Sequence, residues 1–99
     1  METAMSDKKR GNVLLDALNV INGERQDQYG SPEDNFETIA TYWTTYLNGR
    51  SYISGKDVAM MMTLLKVARI QTGTATWDSF LDACGYMALA SDMTVVTDD

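Results

Sequence analysis

Gly23-Glu24-Arg25-Gln26-Asp27-Gln28-Tyr29-Gly30-Ser31-Pro32-Glu33-Asp34-Asn35-Phe36 is the stretch on which the fold of this 99-residue chain turns. Within it, Tyr29-Gly30-Ser31-Pro32 reads as the stop of one helix and the start of another. Gly30 suits a C-terminal cap, Ser31 an N-cap and Pro32 the first helical position. Upstream, Val13, Leu14, Ala17, Leu18 and Ile21 recur at helical spacing and predict a first helix over about 12–28. The same stripe, continued, brings up Glu24, Arg25 and Gln28, so its inward face turns from apolar to polar. Downstream, Phe36, Ala40, Trp43 and Leu47 form one stripe, with Ile39 and Tyr46 beside it. They predict a second helix over about 32–47, ended by Asn48-Gly49-Arg50.

A third helix is expected from residue 54 or 56 to 70. Its apolar residues, from Val58 through Met60-Met61-Met62 to Ile70, cover nearly the whole circumference. Such a helix is central, or is buried by an oligomer. Lys66 and Arg69 share its one charged face. A fourth helix is expected from about 76 to 93, with Thr76 as N-cap. Phe80, Cys84, Met87, Ala88 and Ser91 face one way; Asp78, Asp82 and Tyr86, each four apart, line another. Gly85 lies beside the latter, where a missing side chain allows close helix approach. The expectation is an all-α bundle of four main helices, with a flexible tail over 1–11, one helical domain over 12–93 and an acidic tail over 94–99.

Composition bounds the function. An apolar fraction of 44% supports a globular core. A net charge of −6 argues against general nucleic-acid binding, which needs a basic face. It leaves room for a small anionic ligand held by local Lys and Arg. Histidine is absent, removing His-based catalysis and the commonest zinc ligand. The single cysteine, Cys84, cannot form an intramolecular disulfide, so a reducing cytoplasm is the expected compartment. No apolar run is long enough to span a membrane.

Each candidate site has a functional and a structural reading. Glu24, Arg25, Gln28 and Tyr29 form either the rim of a pocket or an exposed helix end. In the pocket, Arg25 grips a phosphate and Tyr29 stacks on a base. Glu33, Asp34 and Glu37 either complement a helix dipole or supply carboxylates to a Mg²⁺ ion bridging phosphates. Lys66 and Arg69 are a phosphate clamp, or they pair with Asp78 or Asp82, or both. Asp82 is the favoured functional acid of its helix because it lies deeper than Asp78, and Tyr86 shares its face. Asp57 opens the third helix, where a first-turn acid also suits the dipole. Met60-Met61-Met62, Cys84, Trp43 and Trp77 read as packing residues.

Three blocks carry a resemblance: E-R-x-x-x-Y-G-x-P-E-D-N-F (24–36), D-V-A-M-M-M-x-L-L-K-V-A-R (57–69) and W-D-x-x-L-D-x-x-G-Y-x-A-L-A (77–90). They resemble small phage and prophage proteins of a largely uncharacterised family. That group is distantly similar to the MazG-like all-α nucleotide pyrophosphohydrolases. The resemblance implies cleavage of nucleoside triphosphates to monophosphate and pyrophosphate, Mg²⁺ held by acids on adjacent helices, and an oligomer. The family motif is E-E-x-x-E followed by E-x-x-D. Glu33-Asp34-Asn35-Phe36-Glu37 matches the first half, with Asp in the second position. Asp57 stands where the later Asp falls, but Ser54 occupies the place of its Glu. Binding therefore survives this departure better than hydrolysis.

Three functions follow as expectations. The first is a Mg²⁺-dependent pyrophosphohydrolase using Glu33, Glu37, Asp57 or Asp82 around the metal, with Arg25, Tyr29, Lys66, Arg69 and Tyr86 on the nucleotide. The second is a sponge that sequesters a host's signalling nucleotides without cleaving them. The third is an acidic inhibitor of a protein partner with no small ligand. In each the chain is expected to be a homodimer or larger and to act in the host cytoplasm, away from membranes.

Overall fold

The computed structural model describes residues 8–23 and 30–98. Among these the chain forms four α-helices and no strand: α1 (Arg10–Ile21), α2 (Pro32–Tyr46), α3 (Gly55–Thr72) and α4 (Trp77–Asp92).

The helix starts are fixed by local chemistry. At α2 the Ser31 hydroxyl accepts a hydrogen bond from Asp34 N–H at 3.2 Å, and Pro32 is the first helical residue. Gly30 sits at φ +80°, a left-handed conformation that only glycine adopts without strain. At α3, Ser54 and Asp57 form a reciprocal capping box, which satisfies two N–H groups that the helix cannot bond internally. At α4 the Thr76 hydroxyl accepts from Ser79 N–H at 3.2 Å. The chain reverses after α2 through Asn48 and Gly49, both at positive φ.

One boundary departs from the sequence expectation. α1 stops at Ile21 and is capped at Asn22, whose N–H bonds back to the Leu18 carbonyl at 3.1 Å, while the Gly23 N–H reaches that of Val20 at 3.4 Å. Asn22-Gly23 is a poor helix pair, and a Cβ at Gly23 would lie 2.5 Å from the Asn19 carbonyl oxygen. The apolar spacing that predicted a helix to residue 28 hid this stop.

The core lies where α2, α3 and α4 meet. Phe36, Ala40, Val58, Ala59 and Ala90 are buried together, with Ile39, Trp43, Met62, Tyr86 and Leu89 packed around them. α3 is central, packing against α2 on one side and α4 on the other. α1 packs on α4, and Gly85 permits the approach: a Cβ there would stand 3.3 Å from Ile21. Trp77 ties the same pair together, its indole N–H donating to Asp16 at 2.7 Å. The outer sides of two helices differ from expectation. Leu14 and Leu18, placed on the inward stripe of α1, are exposed, and α3 is covered on one side of its apolar circumference only. No helix among the described residues is long and apolar enough to cross a membrane.

Candidate ligand cavity

A cavity of about 280 Å³ opens where the four helices converge. The end of α1 supplies Val20 and Ile21, the restart supplies Gly30 and Pro32, and α2 supplies Asn35, Phe36 and Ile39. Met62 of α3 and Tyr86 and Leu89 of α4 complete the wall. The Phe36 and Tyr86 rings stand 6.1 Å apart at 35°, a tilted aromatic pair. Among the described lining residues, Asn35 and Tyr86 are the two whose side chains carry polar groups. An apolar wall with a few directed polar groups is the usual make-up of a small-molecule pocket.

A smaller void of about 30 Å³ adjoins it and shares Val20, Ile21, Tyr86 and Leu89. Asp82 lines this second void. Its carboxylate is paired with Lys66 Nζ at 3.1 Å, with side-chain exposures of 21% and 14%. The structure thus brings Lys66, Asp82 and Tyr86 into one neighbourhood. A half-buried ion pair is a weak source of stability, because desolvation offsets much of the Coulomb gain.

The other expected site residues lie elsewhere. Glu37 reaches the start of α3, where its Oε2 accepts the Gly55 N–H at 3.1 Å. Asp57 accepts from the next N–H back, that of Ser54, and from the Ser54 hydroxyl, each at 3.0 Å. The backbone hydrogen bond from Ser54, then the hydroxyl bond, hold the Asp57 carboxyl below its ordinary value. Glu37 and Asp57 therefore meet around the α3 N-terminus, each engaged in capping, while Glu33 is exposed one turn earlier on α2 and Asp82 belongs to Lys66. Among the described residues no three His, Cys, Asp or Glu side chains assemble as a metal-binding group. Arg69 is exposed on α3. Arg25 and Tyr29, with Glu24 and Gln28, lie outside the described residues.

Sequence reading missed Asn35 as a lining residue and treated Phe36 and Met62 as plain core. The available signal was Asn35 and Ile39 at i and i+4 beside a helix start that already looked like a site. It also missed that Glu37 caps another helix, a contact across eighteen residues of chain that no local spacing reveals.

The fold and cavity define an all-helical domain with a half-open, mostly apolar pocket beside a half-buried ion pair. The chain belongs to the family described as "Domain of unknown function (DUF6378)", which matches residues 12–94. It is similar to the Gene 55 protein of Mycobacterium phage L5, with 37% identity over 87 residues covering 88% of this chain and 55% of that protein. It is also similar to the Gene 55 protein of Mycobacterium phage D29, with 42% identity over 74 residues covering 75% and 48% respectively. The chain thus spans about half the length of these phage relatives. No solved structure matches it.

Proposed function

We propose that this chain is a MazG-like nucleotide-binding domain that holds its ligand without cleaving it. The observation that carries the reading is the adjacency of an aromatic-walled cavity and a half-buried Lys66–Asp82 pair. A base fits between apolar and aromatic walls, with the Asn35 amide and the Tyr86 hydroxyl able to read its edge. Phosphates then fall towards Lys66, which Asp82 holds in place. This gives the ion pair a purpose that stability alone does not supply.

Retention is favoured over hydrolysis by the disposition of the carboxylates. Pyrophosphohydrolase chemistry of the MazG type needs several acids around one magnesium ion. Glu37 and Asp57 instead accept backbone hydrogen bonds at α3, and Asp82 is paired with a lysine. The residues described do not fit a metal cage. A phage domain of this kind would act as a sponge for a signalling nucleotide of its host.

The test is a thermal-shift and calorimetry panel of nucleoside mono- and triphosphates and cyclic oligonucleotides, with and without Mg²⁺. A ligand that binds only the folded state raises its stability by mass action. The expected result is a metal-independent shift with one nucleotide class, recovery of that nucleotide intact after denaturation, and at least roughly tenfold weaker binding by Lys66→Met, the loss of one charge-assisted contact. Mg²⁺-dependent pyrophosphate release would establish the hydrolase instead. No shift with any nucleotide would sink the reading and leave a protein target.

A further inference from the structure

The end of the molecule where α2 turns back into α3 is charged unlike the rest. Residues 38–56 hold no Asp or Glu, although the chain carries 14 of them and a net charge of −6. The same stretch holds Arg50 and Lys56, both exposed and neither in a salt bridge among the described residues. It also holds Tyr42, Tyr46 and Tyr52, exposed to 70%, 85% and 77%. Rings left that open add little to the core beneath them. Beside them lies a groove of about 440 Å³, walled by Trp43 and Tyr46 of α2, Leu47 at its cap, Ile53 before α3 and Met61 of α3. None of these residues lines the ligand cavity.

The groove is built before anything fills it. The Thr44 hydroxyl accepts the Ile53 N–H at 2.9 Å and ties the wall that precedes α3 to α2. Asn48 and Gly49 reverse the chain at positive φ, and the Arg50 N–H bonds to the Leu47 carbonyl at 3.1 Å, which holds Arg50 beside the groove. Lys56 follows Ile53 by three residues, in the first turn of α3. Asp57, the next residue, is turned to the N–H and hydroxyl of Ser54. A preorganised groove loses little freedom on binding.

Shape and charge together select the occupant. Apolar walls, an aromatic rim and two exposed cations suit a short segment whose apolar side chains enter the groove and whose carboxylates meet the cations. Tyr, Trp, Met and Arg are the side chains enriched at protein interfaces, and Met61 is an adaptable wall. A nucleic-acid strand fits less well, because it needs a cationic track along its phosphates and two cations on an acidic body do not make one. A second copy fits less well too, because a two-fold contact here would set Arg50 and Lys56 of one chain against those of the other.

We infer that this groove docks an acidic amphipathic segment of a protein partner. Apolar side chains of that segment seat between Trp43, Leu47 and Met61, and its Asp or Glu side chains pair with Arg50 and Lys56.

Selection of a displayed library of short random peptides on the folded wild-type protein tests this. Enriched peptides are expected to carry Leu, Phe or Trp beside clustered Asp or Glu. A fluorescein-labelled selected peptide should bind the Arg50→Glu, Lys56→Glu double variant at least roughly tenfold more weakly, two attractions having become two repulsions. Tyr46→Ala should weaken it as well. The same peptide with Lys in place of each acid should regain binding to the charge-reversed protein. All three positions are exposed, so circular dichroism should show unchanged helicity. Enriched peptides without acids, equal binding to the charge-reversed protein, or no enrichment at all overturns the inference. Oligo(dT) that competes for the patch and binds it more tightly than the peptide would give the groove to a nucleic acid and overturn it too.

Discussion

The contact between Glu37 and Gly55 yields a sign reversal that few other arrangements would give. Oε2 of Glu37 accepts the Gly55 N–H at 3.1 Å, and a Cβ built at Gly55 would lie 2.5 Å from that same oxygen. The next two atoms it would meet, at 3.0 and 3.4 Å, also belong to Glu37. Gly55→Ala therefore displaces a flexible carboxylate and removes one charge-assisted cap. Such a cap contributes about 1 kcal/mol. Against that, replacing a helical glycine by alanine gains about 0.4–1 kcal/mol by restricting the unfolded chain. In the wild type the two terms nearly cancel, leaving Gly55→Ala destabilising by about 0–0.6 kcal/mol. Glu37→Ala alone should cost about 0.5–1 kcal/mol, the lost cap less a small gain in helix propensity. In the Glu37→Ala background the carboxylate is gone, and Gly55→Ala should now stabilise by about 0.4–1 kcal/mol. The coupling energy, about 1 kcal/mol, stands above the scatter of independent sites. Urea unfolding of the four proteins, followed by far-UV circular dichroism, measures the cycle. Equal effects of Gly55→Ala in both backgrounds would refute the reasoning. Glu37 would then not be the neighbour that a side chain at position 55 meets.

Two further predictions rest on the same region. The Asp57 carboxyl is held below its ordinary value of 3.8, so the stability it lends is complete above that value and is lost as pH falls through the lower folded value. Acid titration of unfolding free energy should show this loss in the wild type and lack it in Asp57→Asn, which should also be less stable at neutral pH. Val58 is fully buried, so Val58→Ala removes two methyl groups and leaves a void, at a cost of about 2–3 kcal/mol in chemical denaturation. A loss below about 0.5 kcal/mol, the range of ordinary surface substitutions, would mean that the α2–α3–α4 core is not the cooperative unit.

The local devices were legible because they are local. Ser31 and Thr76 cap helices through bonds spanning three residues, and Gly30-Ser31-Pro32 carries its stop and start in its own stereochemistry; the equally local Ser54 cap went unread. Periodicity located the helices but not their covered sides. The stripe Val13, Leu14, Ala17, Leu18, Ile21 is apolar throughout, yet only its Ala17 side packs on α4, leaving Leu14 and Leu18 exposed. On α4 the face with Phe80 and Met87 is apolar as well, and it is the face of Asp82 and Tyr86 that turns to the cavity. Apolar pattern ranks faces by their tendency to be buried; which is buried depends on where the neighbouring helix lies. The acids show the same limit. Glu33, Glu37, Asp57 and Asp82 are all plausible metal ligands by residue type, and only distance distinguishes a capping bond to Gly55 from an ion pair with Lys66.

What the sequence determined by itself is the set of helices, the starts of α2 and α4, and the Asn48-Gly49 reversal. All of these follow from backbone stereochemistry and hydrogen bonds within a few residues, whose free energies do not depend on the rest of the chain. The tertiary structure alone decided that Lys66 meets Asp82, that Glu37 caps α3, and that ten of the described residues, from four helices and one turn, line a cavity. These contacts join residues far apart in sequence. Their energies exist only once the helices have packed, so no spacing along the chain encodes them directly.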